Sequence, residues 1–430
     1  MRKILFHAGM SPLERPSLHH IFSDNLFTTN SSNLLFQYGA YRTLLTGDAE
    51  IKTLFVDRRR NQTRALIERI NADYECVVLP LANNFRKSYN LNALTGFIRK
   101  LRIPCVVVGV GLQAPDAEGI REGYPFDDRV SDFVKAVLDH SAMLGLRGEF
   151  TAEYLKKLGF SPERHFTVTG CPSMFSAGAR LPEPRVKALT PESPISFNYR
   201  KEQPGNLLLL MERTLRRMPG TVLTVQRVEE MVMMHYGLPL AYTYGDLKAD
   251  LSRYPHDATH IAVREGRMAG YVSAHSWISD MKNVDLSIGC RIHGNIAAVL
   301  AGTPALVLTI DTRTEELCRY HGIPFIPAGQ IDPEVDIERL CERVDFTSPL
   351  RGHAQRFRHF VDFMNANGLR HIYTDTLEPG QVPLDDAYEA LSDDWGIIRS
   401  RAHIPLITRL EGKEMYCWKK IRGGITSLLR

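Results

Sequence analysis

The segment richest in chemistry runs Val284-Asp285-Leu286-Ser287-Ile288-Gly289-Cys290-Arg291-Ile292-His293-Gly294-Asn295, and a small-residue helical stretch follows it. Arg291 and His293 stand two apart, so an extended backbone turns both side chains the same way. They fall just before a helix start, where free N–H groups and the helix dipole attract anions. A guanidinium, an imidazole and a helix N-terminus together suit a small phosphorylated acid. Gly294 would let such a ligand approach the backbone. The plainer role is a strand-to-helix turn with one structural ion pair. A second segment, Ala142-Met143-Leu144-Gly145-Leu146-Arg147-Gly148, again delivers an arginine from an apolar run to a helix start. A guanidinium fork matches carboxylate and phosphate better than an ammonium does. Capping its own loop is the competing role for Arg147.

Other strand ends give weaker signals. Gly109-Val110-Gly111-Leu112-Gln113 carries GxG without the full GxGxxG spacing of a dinucleotide turn. Cys171, in Thr169-Gly170-Cys171-Pro172-Ser173, has no histidine partner implied, which argues against a nucleophile. Asp311 closes the run Ala305–Ile310 and could act as a general acid or base, while Thr312 or Thr314 would cap the next helix. Asn30-Ser31-Ser32-Asn33 reads as the N-cap of the first long helix. The scattered histidines lack a pattern such as HExxH, so no metal site is expected.

These residues must be held by strands and helices, and the pattern supplies both. Nearly continuous apolar runs at Ile4–Phe6, Ile51–Val56, Cys76–Leu79, Pro104–Val110, Ala142–Leu146 and Phe166–Thr169 read as buried parallel strands. Helical spacing occupies Asn33–Leu45, Gln62–Ile70, Leu91–Leu101, Ser131–His140 and Gly148–Leu158, the last stopped by Gly159. A proline-rich stretch follows. The rhythm then restarts with strands at Ile195–Tyr199, Thr221–Val225, Val284–Ile288 and Ala305–Ile310, and helices at Leu207–Arg216, Ile292–Leu300 and Thr314–Tyr320. This alternation predicts doubly wound α/β sheets. The expected division is a first domain at 1–180, a linker at 181–194, a second domain at 195–345 and a C-terminal mixed or helical extension at 346–430. Two such domains imply a cleft at the carboxyl ends of their strands. Asn33 and Asn198 join Gly109, Gly111 and Gln113 as expected cleft-lining residues.

Composition excludes several classes. The 430 residues carry 53 Lys and Arg against 49 Asp and Glu, a surplus too small to argue for nucleic-acid binding. The seven cysteines form no CxxC and read as free, buried thiols of a reducing compartment. No stretch reaches the roughly 18–20 apolar residues of a membrane span, and the first residues lack the apolar run of a signal peptide. A cytoplasmic protein is expected. The positive surplus sits in residues 409–430, where Met415, Trp418, Ile421 and Ile425 recur at helical spacing beside Lys419, Lys420 and Arg422. That tail could touch the inner membrane face, or pack back on the first domain, with Gly423-Gly424 breaking its helix.

The segments GLRGEFTAEYLKKLG (145–159), VTGCPSMF (168–175) and VDLSIGCRIHGNIAAVLAGTPALVLTIDTRTEEL (284–317) resemble the polysaccharide pyruvyl transferases; VVVGVGLQ (106–113) fits less specifically. The likeness spans about residues 25–330. The resemblance implies a GT-B-like fold, with two Rossmann-like domains facing across a cleft. It implies transfer of pyruvate from phosphoenolpyruvate to a sugar of a bacterial surface polysaccharide or its precursor, forming a ketal and releasing phosphate. No nucleotide, cofactor or obligatory metal is implied, and the acceptor could be lipid-linked. Arg147, Arg291, Gly294 and Asn295 would hold phosphoenolpyruvate. His293, with Asp311 second, would move protons; an imidazole near pKa ~6.5 can give or take one. Two other functions stay open, a nucleotide-sugar glycosyltransferase and a non-catalytic subunit of a polysaccharide assembly complex.

Overall fold

The computed structural model describes residues 1–113, 119–241, 253–391, 395–401 and 403–428, with side chains as far as Cys417. The first sheet holds β1 (Arg2–Phe6), β2 (Ala49–Thr53), β3 (Cys76–Pro80) and β4 (Cys105–Val108) in the order β2-β1-β3-β4, all parallel. A parallel pair, β5 (Leu144–Leu146) and β6 (Phe166–Val168), continues it through a bridge between Val110 and Leu146. Every residue of β3 and β4 is buried, as expected of strands covered on both faces.

The second sheet has seven strands: β7 (Ile195–Asn198), β8 (Thr221–Val225), β9 (Met268–Tyr271), β10 (Leu286–Gly289), β11 (Ala305–Thr309), β12 (Phe325–Pro327) and β13 (Ile397–Arg399). Their order is β12-β11-β10-β7-β8-β9-β13, and only β13 runs antiparallel, against β9. Two doubly wound sheets meeting at their carboxyl ends form a GT-B-like arrangement. The expected helices recur with shifts of a few residues: Ser32–Leu44, Glu149–Lys157, Gly205–Arg217 and Ile292–Leu300. The strands that pattern did not reveal, β9, β12 and β13, are three or four residues long and too short to show a period.

Linker residue Arg185 is tied to the second domain, donating to the Ala301 carbonyl and the Thr303 hydroxyl at 2.6 Å each. The stretch beyond residue 345 serves both domains. Helix His353–Ala366 drives Phe357 and Phe360 against Phe175, with the Phe175 and Phe360 rings stacked at 4.8 Å. Arg42 donates Nε to Asp385 at 2.9 Å, and the Tyr388 hydroxyl donates to the Pro12 carbonyl at 2.7 Å. The chain then returns to the second sheet as β13.

Helix Leu406–Leu428 closes the fold. It packs on helix Val228–Tyr236, with Met415 buried and Gly412 seated against the Tyr236 ring. It is therefore anchored on the second domain and, through helix Leu18–Asp24, on the first domain as well. The helix also runs through Gly423-Gly424, where a break was expected: helical glycine costs about 1 kcal/mol each but does not forbid the conformation. Trp418, Ile421 and Ile425 fall outside the described side chains. No described helix is long and apolar enough to cross a membrane.

Candidate active site

Loops leaving β1, β2, β3 and β5 meet loops leaving β7, β8, β10 and β11 around a cavity of about 330 Å³. Carboxyl ends of parallel strands are the usual ligand position in such sheets. Both domains supply arginines to its wall: Arg86 and Arg147 from the first, Arg200, Arg227, Arg291 and Arg313 from the second.

Arg147 follows β5 directly. Its backbone N–H donates to the Val110 carbonyl at 2.9 Å, which fixes the side chain beside Gly111. A Cβ at Gly111 would stand 3.0 Å from Arg147 Cδ, so glycine makes room for the arginine. The side chain is 1% exposed and lies over Phe36, 5.4 Å from the ring centre. Nη1 donates to Asn83 Oδ1, while Nε and Nη2 have no partner among the described residues. A guanidinium buried this deeply beside a cavity, with two unmatched nitrogens, has the chemistry to bind an anion.

The neighbouring helix, Glu149–Lys157, is capped from the other domain. Glu316 accepts from the Thr151 backbone N–H at 3.1 Å, and a Cβ at Gly148 would collide with its side chain. Burial pushes the Glu316 carboxyl up to about 7, with the Thr151 and Phe150 N–H groups and Arg147 opposing. A carboxyl raised in the folded state adds stability that is full below its unfolded value near 4.5 and is lost as pH rises through about 7. Glu316→Gln should therefore remove part of the decline in unfolding free energy between these two pH values, measured by denaturant titration; an unchanged decline would refute the assignment.

At β10 the second domain presents its pair. Arg291 donates Nε to the Tyr199 carbonyl at 2.8 Å and has no ion pair among the described residues. His293, 8% exposed, meets Phe36 edge-on at 6.2 Å. Its Nε2 lies 3.6 Å from Cys171 Sγ, so the histidine neighbour that sequence did not imply for Cys171 exists. Cys171 is fully buried and does not line the cavity, which still argues against a nucleophile. Burial, then Arg147, Arg313 and Arg291, hold the His293 imidazole well below its usual range, so it is neutral at neutral pH.

Several expected site residues stand behind this wall instead of in it. Asn295 donates to the Gly289 and Arg291 carbonyls at 3.2 Å each and accepts from Ser287 Oγ at 2.9 Å, fixing the turn that carries Arg291. Asn198 donates to Ser287 Oγ at 2.8 Å in the same network. Gly294 is required by Asn198, since an added Cβ would land inside that side chain; it does not open the backbone to a ligand. Gly294→Ala should destabilise the fold by about 1–3 kcal/mol, as overpacked cores do. Denaturant unfolding measures this, and an unchanged midpoint would contradict the packing. Asp311, not Thr312 or Thr314, caps helix Thr312–His321, accepting from the Thr314 N–H at 2.8 Å. It also accepts from Arg313 Nη2 at 2.9 Å. Against the raising effect of burial, Arg313 and Thr314 hold its carboxyl below the usual range, which makes it a poor proton donor. Gln113 is exposed and accepts from Arg86 Nη1 at 3.2 Å. Gly109, at φ +70°, packs near Pro172 and Phe36. Asn33 does line the cavity, and its amide donates to Thr28 Oγ1 at 2.6 Å and to the Phe27 carbonyl at 3.0 Å. The cap next to it is Ser31, which makes no side-chain capping bond.

Sequence reading did not find Asn83, Arg200 or Arg313. Arg313 was legible, lying two residues after Asp311 at a strand end, and so was Arg200, directly after the expected strand Ile195–Tyr199; Asn83 sits in a loop with no pattern. Among the described residues, no three His, Cys, Asp or Glu side chains converge to hold a metal.

A search of curated proteins finds no match. Among solved structures, the chain is similar to a UDP-GlcNAc 2-epimerase from Neisseria meningitidis bound to UDP-GlcNAc, with 10% identity, TM-score 0.44, and coverage of 85% of this chain and 100% of that one. It is also similar to Alr3699/HepE from Anabaena in complex with UDP and glucose, with 11% identity, TM-score 0.40, and coverage of 91% and 100%. Likeness at this level carries no substrate with it. The family comparison reaches further: the model for polysaccharide pyruvyl transferases matches residues 33–312, which contain Arg147, Arg291 and His293. The chain belongs to the polysaccharide pyruvyl transferase family.

Proposed function

We propose that the protein moves the pyruvyl group of phosphoenolpyruvate onto two hydroxyls of one sugar residue in a polysaccharide or its precursor, forming a cyclic ketal and releasing phosphate. The observation that carries this is the buried Arg147 guanidinium, with Nε and Nη2 unmatched, sharing one cavity with Arg291, Arg313 and a neutral His293. Phosphoenolpyruvate brings a carboxylate and a phosphate. Arginine forks bind both, and here they come from both domains. Burial first, and then the arginine charges, keep His293 neutral, and such a donor offsets the arginine part. The imidazole then takes up a proton and can pass it to the donor's methylene carbon.

Titration calorimetry of the whole protein with phosphoenolpyruvate, UDP-glucose and GDP-mannose tests the donor. Binding of phosphoenolpyruvate alone is expected. Binding of a nucleotide sugar in its place would favour a glycosyltransferase. Mass spectrometry of candidate acceptors for a pyruvyl adduct tests the product.

A further inference from the structure

Ketal formation needs a group to take the proton of the attacking hydroxyl. The wall that carries Arg291 and Arg313 supplies no such group, because Asp311 is spent on Thr314 and Arg313. Loops after β1, β2 and β3 line another part of the same cavity, where Arg86 lies over the Tyr89 ring at 5.9 Å. There His7, Phe55, Asp57, Asn84 and Tyr89 line the wall. The Val56 N–H donates to His7 Nδ1 at 3.2 Å, which leaves the ring proton on Nε2. Burial, aided by Arg58 and opposed by Asp57, holds His7 below its usual range, so it adds no charge at neutral pH. The Tyr89 hydroxyl donates to Asp57 Oδ2 at 3.0 Å, and burial followed by Asp57 keeps that phenol protonated. Oδ1 of Asp57 has no hydrogen-bond partner among the described residues. The Phe55 ring is fixed between Arg58, 4.1 Å from its centre, and the edge-on His7 ring at 5.6 Å. A carboxylate, an amide and aromatic faces are what a polyhydroxylated ring needs: acceptors and donors for its hydroxyls and flat surface for its C–H face.

We propose that this part of the cavity is the acceptor subsite, that it takes a pyranose presenting two neighbouring hydroxyls, and that Asp57 accepts the proton of the hydroxyl that attacks the donor. The assignment rests on the reading of the donor given above. Asn83, next to Asn84 in the chain, lines the same cavity and bonds Arg147. The first hydroxyl oxygen bonds to C2 of phosphoenolpyruvate as its proton passes to Asp57, and C3 gains a proton from His293 to become a methyl group. The C2–O bond to phosphate then breaks, its electron pair leaving with phosphate. The second hydroxyl oxygen bonds to C2, and its proton leaves with phosphate as hydrogen phosphate. Solvent returns the proton on Asp57 to His293. One hydroxyl proton thus ends in the methyl group and the other on phosphate, with no outside reagent.

Two measurements on the full chain test this. Saturation-transfer NMR with methyl glycosides of galactose, glucose and mannose should show contact with wild type and lose it in Asp57→Leu. Asp57→Asn keeps an acceptor for Tyr89, and it should lower turnover by about 100-fold or more, the scale of a general base, while leaving phosphoenolpyruvate affinity unchanged. Unfolding midpoints show that both variants fold. Saturation that persists in Asp57→Leu, saturation absent from wild type with every glycoside, or full turnover in Asp57→Asn would each overturn the subsite. If the glycosides bind through Asp57 while wild type ignores phosphoenolpyruvate, the donor reading fails and the acceptor subsite stands.

Discussion

Arg147→Ala is expected to abolish measurable phosphoenolpyruvate binding while leaving the unliganded protein as stable as wild type or more so. The two expectations share one cause. The guanidinium is fully buried, and two of its N–H-bearing nitrogens have no partner among the described residues, so its charge is only partly met by Asn83, the Phe36 ring and Glu316. Removing that charge relieves the free protein. Removing it from the complex leaves a donor anion without its partner, at a cost of about 2–5 kcal/mol, roughly 30-fold or more in affinity. Thermal unfolding with and without donor reads both terms. The donor-induced rise in Tm should vanish, and the donor-free Tm should not fall. A retained rise in Tm would remove Arg147 from the donor site. A lower donor-free Tm would mean that its contacts with Asn83 and Phe36 outweigh the buried charge.

His293→Asn should reduce turnover by about 10²–10⁴-fold, the usual contribution of a proton-transferring side chain, with a much smaller change in donor affinity. A second readout separates this role from a merely structural one. His293 is held neutral by burial and by Arg147, Arg313 and Arg291. An anionic donor offsets those arginines, so wild type should take up a proton on binding phosphoenolpyruvate at neutral pH, and His293→Asn should not. Calorimetry in two buffers of different ionisation enthalpy measures that proton. Equal uptake in both proteins would assign it to another group, and wild-type turnover in the variant would leave His293 as packing for Cys171 and Phe36.

The architecture was legible because buried parallel strands are written as apolar runs and their helices as a 3.6-residue period. The helix Ile292–Leu300 was placed residue for residue. Arg147 was legible because it follows β5 directly, and Arg291 and His293 because they sit at the turn from β10 into its helix, so one-dimensional order fixes their place. Asn295 and Gly294 were expected as ligand contacts and Asn198 as cleft-lining, and all three stand behind the wall, because spacing shows which element a residue belongs to, not which neighbour it meets. Gly294 faces Asn198, 96 positions away, and no period encodes that pairing. Asp57 directly follows the expected strand Ile51–Val56 and was passed over, while Asn83 sits three residues beyond β3, where the chain's path depends on tertiary contacts. The extension was opaque because its helices complete cores that lie hundreds of residues earlier.

That last feature bears on how the protein is made. Phe357 and Phe360 cover Phe175, and Asp385 and Tyr388 secure Arg42 and Pro12 near the start of the chain. A ribosome that has delivered everything up to residue 345 has therefore emitted both central parallel sheets but not the aromatic layer that seals the first. Domains usually fold in the order of their synthesis; here the earliest domain stays open until the last fifth of the chain emerges. Nascent chains stalled before residue 353 should remain open to proteases and dependent on chaperones. The first domain's native core becomes complete only after Tyr388 has emerged.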